Sequence, residues 1–527
     1  MKKLTAFLLA LCLTLPILPA HASEEPPAWA GEAYAALKER HVIIGLVGPS
    51  PVKRGEFVDM LIRLLDFFSQ KLGHAVKAEG SPAVYADAGK ISAWALPYTE
   101  RIAAYGLMKG DSYGNFDPQG GLDYSPSVVL AYRIMELLDG AVNATQDDLL
   151  TLQSQVNWSG AAQFGSGDGS MARPLTGWAR GYYTIDNGDG TVSGLVVGTD
   201  AITVERFNAD GSLASSKTVE RELPIFGSFL DSGSRFYLVF GQNNGEQDDN
   251  KEVWRIVQYD RDWNRLGSAS VTAGDSYTTS PFASTVSRME VSADGKTLAL
   301  HAARSRYTAE DGLRHQSNIT ITVNTADRKV LSVSEPFPGN HVSHSFGQFV
   351  RFDGEEMVTV DHGDAYPRAF VLHDDAQEAE LLKIAGSIGN NVTNAIGSGL
   401  EISEDGYLFL GCSDPQDGTG GPWNVFLSYT SKKSKEPTLT WLTHSDTTID
   451  CARLVKLDKN TFVAMWQYGA DVHYQKLDGK GQLVGQEQVY PHALMPPTDP
   501  VVMDGEICWI QYSVPRKSVL LYRLEVQ

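Results

Sequence analysis

Residues 344–375 read HSFGQFVRFDGEEMVTVDHGDAYPRAFVLHDD, and this stretch decides the fold. Its first run alternates: Phe349 and Arg351 face one way, Val350 and Phe352 the other. The turn Asp353-Gly354 follows, then the β-branched and apolar run Met357-Val358-Thr359-Val360. A polar loop is expected at Asp361-His362-Gly363-Asp364, before a third run at Ala369-Phe370-Val371-Leu372. The turn Asp374-Asp375 precedes a fourth run, Leu381-Leu382-Lys383-Ile384. Period-2 runs separated by Asp-Gly turns signal antiparallel hairpins, so the stretch predicts a small four-stranded meander.

The unit can be laid over the chain seven times. First turns fall at Asp186 to Gly190, Asp231-Ser232-Gly233, Asp294-Gly295, Asp353-Gly354, Asp405-Gly406, Asp458-Lys459-Asn460 and Asp504-Gly505. Their spacing, roughly 45 to 62 residues, suits one propeller blade per repeat. Third-strand runs keep step, from Ala201-Ile202-Thr203-Val204 through to Val519-Leu520-Leu521-Tyr522. One such sheet cannot bury both its faces; stacking sheets around an axis does so and protects their edges.

The pattern resembles a seven-bladed β-propeller of the TolB-like or WD type, and Val291 to Ala299 is similar to the TolB blade signature. Two β-sandwiches are the alternative, but sandwiches need no repeat in register. The last blade stops after its third strand, so the segment between Gln153 and Trp178 is expected to supply the fourth and close the ring.

Helix-type periodicity is confined to the first ~140 residues and strand-type periodicity to the rest, which predicts a multidomain chain. The expected order is a signal peptide (1–22), a small all-α module (23–139), a linker (140–175) and an all-β propeller (176–527). Lys2 and Lys3, the apolar run from Leu4 to Leu18 and the small-x-small site Ala20-His21-Ala22 read as a secretory signal. No later run is long and apolar enough to span a membrane. The formal net charge of −20 and the lack of a basic stripe argue against nucleic acid as a partner. Cys412, Cys451 and Cys508 would remain in the mature chain; three buried thiols are favoured over one disulfide plus a free thiol.

In residues 84–138, the lead-in Val84-Tyr85-Ala86-Asp87 precedes a helix starting at Trp94. The loop Gly106 to Pro118 and a second helix from about Ser125 follow. This resembles an S-layer homology repeat. A shortened copy runs from Trp29 through Val52-Lys53-Arg54-Gly55-Glu56-Phe57. The resemblance implies bacterial cell-wall polysaccharide as partner, with Trp29, Arg54, Trp94, Lys109 and Gly110 as contacts. Arginine at a helix start and amides in a glycine-rich loop suit an acidic sugar. The chain departs from the family pattern where Tyr124-Ser125-Pro126 replaces the usual arginine.

On the propeller, the loops after second and fourth strands share one face in such folds. They place His341, His344, Asp361, His362, Asp364, Tyr366, Arg368 and Trp423 on a ligand-binding rim, with His301, Arg304, Arg306, Tyr307 and His315 alongside. The reading favoured is a non-catalytic binding face for an extracellular glycan or peptide. The alternative is a metal-dependent or carboxylate-based extracellular hydrolase or lyase, with His362 and Asp364 as candidate ligands of a divalent cation. No Gly-x-Ser-x-Gly elbow is present. Asp186-Asn187-Gly188-Asp189-Gly190 has half the look of a calcium loop, but a plain hairpin turn is favoured.

Overall fold

The computed structural model describes residues 85–91, 99, 102–103, 114–117, 149–158, 181–198 and 201–526, apart from short gaps in the last range. The chain divides into two compact units, Met1–Leu149 with Ser513–Ser518, and Leu150–Tyr512 with Val519–Gln527.

The larger unit is a seven-bladed propeller. Blade one pairs Tyr182–Asp186, Val192–Val197, Ile202–Phe207 and Leu213–Val219 in sequence order. Blades two (225–272), five (395–441) and six (452–490) repeat that antiparallel meander. The Asp-Gly signals are hairpin turns: in blade one the Gly188 amide donates to Asp186 Oδ1 at 2.8 Å, and Gly188 has φ +75°. The strand cores are almost wholly apolar because each sheet is covered on both faces by its neighbours. Val192–Val197, for example, is buried throughout.

Blades three and four depart from this scheme. They form one nine-stranded sheet, because Ser317 of Gln316–Asn324 pairs with Ser343 of Ser343–Asp353. The strand Thr278–Pro281 also adds to blade three beside the end of Thr297–Arg306. The loop expected at Asp361 to Asp364 is strand instead, within Glu356–Ala365. Its register runs on through Ser345↔Gly363 and Ser343↔Ala365. Asp361 sits in this buried strand because His301 and Asn318 of blade three, with Ser345, satisfy it, which local composition does not report.

Blade seven has three strands of its own, Val501–Met503, Glu506–Ser513 and Ser518–Leu524. Leu150–Leu152 completes it, with Leu150↔Leu521 and Leu152↔Val519 in register. The closing strand therefore lies just upstream of the segment expected from the sequence. Its alternation buries Leu152 against Val519 and Leu521, whereas the chain beyond it plugs the seam as a loop. There Trp158 packs 5.0 Å from Tyr182 and lies over Gly194, where a Cβ would stand 2.5 Å from the indole.

Around the axis, innermost strands carry charge of both signs. Arg351 donates to Glu290 at 3.0 Å and to Glu401 at 2.8 Å, joining blades three, four and five. Arg288 and Arg453 approach Asp499 at 3.7 and 3.9 Å. Desolvation raises the half-exposed Asp499 carboxyl, but the Arg288, Arg453 and Arg351 charges hold it low.

In the smaller unit, Asp87 organises the described residues. Its two carboxylate oxygens accept the Phe116 and Asp117 amides at 2.7 and 2.8 Å, and Tyr85 packs 5.2 Å from Phe116. The segment Ala88–Lys90 is a short 3-10 helix, and Thr99, Ile102 and Ala103 are helical. The helices expected from Trp94 and Ser125, like the shortened first repeat, otherwise lie outside the described residues. No helix among the described residues is long and apolar enough to cross a membrane.

Candidate functional site

The rim residues named from sequence separate into three environments where blades three and four join. The deepest is built on Asp361. Its Oδ2 faces His301 Nε2 at 3.1 Å and accepts from Asn318 Nδ2 at 2.8 Å; its Oδ1 accepts from the Ser345 hydroxyl at 2.7 Å. Gln348 donates in turn to Ser345, and His301 Nδ1 meets Thr320 Oγ1 at 2.9 Å. Burial pushes the Asp361 carboxyl up, but His301 and the hydrogen bonds outweigh it and hold the group down at about 2. Asp361 therefore joins two blades from the interior.

His362 and Arg368 are interior groups as well. The His362 ring lies 4.4 Å from Phe370 and edge-on to Phe346 at 6.0 Å, and its Nε2 has no partner. Burial first, then the Arg368 charge, lower its pKa to about 3. Arg368 donates to the carbonyls of Ala385, Asp364, Asn390 and Val392 at 2.6–3.2 Å. That use pins the loop into blade five.

The outer environment holds two histidine–carboxylate pairs. His344 Nδ1 lies 3.0 Å from Asp364 Oδ1, and His315 Nε2 lies 2.7 Å from Asp311 Oδ2. The two imidazoles stack at 6.5 Å with an interplanar angle of 18°. Asp364 is fully buried, its Oδ2 has no partner, and burial raises its pKa. His344 and Tyr366 have φ of 56° and 46°, a left-handed backbone that non-glycine residues adopt rarely and that clusters at working sites. Tyr366 is 68% exposed, so an aromatic face stands open beside the pairs. Each imidazole, positioned by its carboxylate, can bind a ligand or move a proton.

Trp423 is elsewhere: it is half-buried in the core of blades five and six. His341 and the wall-contact residues Trp29, Arg54, Trp94, Lys109 and Gly110 lie outside the described residues. Among the described residues no group of three or more His, Cys, Asp or Glu is placed to hold a metal ion. Cys412, Cys451 and Cys508 are free thiols. Sequence reading missed Asn318, Ser345 and Gln348, whose types carry no signal of a blade junction. It also missed Asp311, which looks like an ordinary Asp-Gly turn residue.

Residues 84–124 match the family model of the S-layer homology domain. The chain carries an S-layer homology domain. Such domains bind cell-wall polysaccharides and imply a cell-surface or exported protein. The clasp of Asp87 on the Phe116 and Asp117 amides falls inside the matched span and joins its lead-in to its loop. No curated protein matches the sequence.

Among solved structures, the chain is similar to the β-propeller domain of the Trilobed protease from Pyrococcus furiosus. The identity is 12%, covering 66% of this chain and 96% of that one, with a TM-score of 0.37. An acylaminoacyl peptidase from Pyrococcus horikoshii matches at 12% identity over 65% of this chain and 51% of its own, TM-score 0.37. A PL25 ulvan lyase matches at 9% identity over 71% and 96%, TM-score 0.37.

Proposed function

We propose that the chain is an exported, cell-wall-associated binding protein. Its S-layer homology domain anchors it to secondary cell-wall polysaccharide, and its propeller presents a binding face for an extracellular glycan or peptide. The family match over residues 84–124 carries the anchoring reading. The binding face is the end of blades three and four, around His344, Asp364, His315 and Tyr366. Exposed aromatic surface beside oriented polar groups is the usual makeup of a glycan or peptide contact. Trp94, Lys109 and Gly110 are the proposed wall contacts in the matched repeat, with Trp29 and Arg54 in the shortened one.

The test is co-sedimentation of the mature protein with purified cell walls. Retention by intact walls, lost once the secondary polysaccharide is extracted, is expected. Equal recovery in the supernatant with both preparations would remove the anchoring reading.

A second reading is a carboxylate-based hydrolase or lyase, favoured by the two histidine–carboxylate pairs. It predicts turnover of a cell-surface glycan or peptide that ceases in His344→Ala. A substrate screen without such turnover would leave the binding reading in place.

A further inference from the structure

Arg304 lies on the second strand of blade three, Thr297–Arg306. Strand alternation puts it on the face of Leu298, Leu300 and Ala302, which pack into the core shared with blades one and two. The residue is fully buried, yet none of Nε, Nη1 and Nη2 has a hydrogen-bond partner. The charged neighbour it feels is Arg306, of the same sign. Directly across the strand pair stands Ser317, whose buried hydroxyl also lacks a partner. So does that of Thr285, which follows closely on Pro281, the other strand partner of Arg304.

The rest of the propeller treats arginine differently. Arg351 has two carboxylates and Arg368 has four carbonyls. A guanidinium offers five donors and stays charged, and leaving such a charge buried and unpaired is strongly destabilising. Buried groups left open in this way call for a water, an ion or a ligand to complete them.

We propose that a compact oxyanion pairs with Arg304, with the Ser317 hydroxyl as a further donor. It is a free sulfate or phosphate, because a guanidinium closed to water is out of reach of a group carried on a polymer. The pairings Arg304↔Ser317, Ser317↔Ser343 and Ser343↔Ala365 form a row across the joined blades. The row ends next to His344 and Asp364, about 10 Å of sheet from Arg304 to Ser343 by ordinary strand spacing. Because the guanidinium is closed to water, neighbouring side chains must shift to admit the ion.

The experiment measures Tm of the mature full chain in sodium sulfate against sodium chloride at matched ionic strength. It is repeated with oligogalacturonate and with a neutral oligosaccharide of equal length. Wild type is expected to show a saturable rise in sulfate beyond that in chloride. Arg304→Met, which removes the charge and keeps an apolar chain, is expected to lose that rise while matching or exceeding wild-type Tm in chloride. Ser317→Ala is expected to weaken the apparent sulfate affinity about tenfold, the scale of one charge-assisted hydrogen bond. A response to sulfate with none to oligogalacturonate is expected, and oligogalacturonate stabilisation lost in Arg304→Met would contradict a site closed to polymers. No difference between sulfate and chloride, an unchanged response in Arg304→Met, or collapse of that variant in chloride would overturn the proposal. Wall co-sedimentation is scored separately, so loss of the anion response leaves the anchoring reading standing.

Discussion

The Gln155 amide donates to Glu205 Oε1 at 2.8 Å, tying the segment after the closing strand to the third strand of blade one. The other Glu205 oxygen accepts from the Ser154 hydroxyl, which itself accepts from Trp158 Nε1 at 2.7 Å. Blade seven takes its fourth strand from Leu150–Leu152, and this junction holds the following residues on blade one. The ring is thus shut by hydrogen bonds to both of the blades that meet at the seam.

Glu205→Ala leaves the Ser154 hydroxyl and the Gln155 amide without their acceptor, at a cost on the order of 2 kcal/mol. Urea unfolding is expected to register that loss, and Glu205→Gln, which keeps one acceptor, to lose less. Wild-type stability in Glu205→Ala would show that the seam holds without this contact.

Gly194 and Trp158 test the same seam by packing. A methyl at 194 would stand 2.5 Å from the indole, so Gly194→Ala is expected to destabilise by about 1–3 kcal/mol. Trp158→Ala is expected to cost about 3–5 kcal/mol. Because the clash needs the indole, the double variant should be more stable than the sum of the two losses allows. Strict additivity would mean that Trp158 does not occupy this position.

His362 sets an acid-side dependence. Burial lowers its pKa in the fold to about 3, below the ordinary value of about 6.5 in the unfolded chain. Above pH ~6.5 both states are neutral and the stability is fully present. As pH falls from there towards 3, the unfolded chain gains a proton that the fold refuses, and up to about 1.4 kcal/mol is lost per pH unit. His362→Phe, set among Phe346 and Phe370, is expected to flatten chemical-denaturation stability between pH 6.5 and 4. Asp361, held at about 2, acts in a lower window, losing stability as pH drops below about 4. An unchanged slope in His362→Phe would contradict the buried, neutral imidazole.

Arg351→Ala is expected to leave Glu290 and Glu401 without their shared cation. Losing these part-buried, charge-assisted hydrogen bonds is expected to cost about 1–3 kcal/mol. Arg351→Met combined with Glu290→Gln and Glu401→Gln should recover much of that loss, as measured by Tm. Failure to recover would assign Arg351 a packing role rather than an electrostatic one.

The blades were legible because a two-sided sheet and its Asp-Gly turns leave a local, repeating signature. Residues 186–190 and 353–354 announce their hairpins without help from the rest of the fold. The closing strand was harder: Leu150-Thr151-Leu152 is short, and only Val519 and Leu521 make its alternation meaningful. The candidate site was read in part. Polarity drew attention to Asp361, His362, Asp364 and Arg368, but polarity does not reveal which side of a strand is covered. Asp361 and Arg368 turned inward to join elements, while His344 found Asp364 at the rim. The Asp311 pair with His315 and the opposition of Arg304 to Ser317 depend on register, which composition does not encode.

The most direct test of wall anchoring by the S-layer homology domain uses Asp87, whose carboxylate clasps the loop at Phe116 and Asp117. Mature wild type and Asp87→Ala would be sedimented with cell walls while the propeller's own unfolding transition is followed by fluorescence. The account predicts that Asp87→Ala stays in the supernatant with the propeller transition unchanged. Equal sedimentation of the two proteins would contradict it.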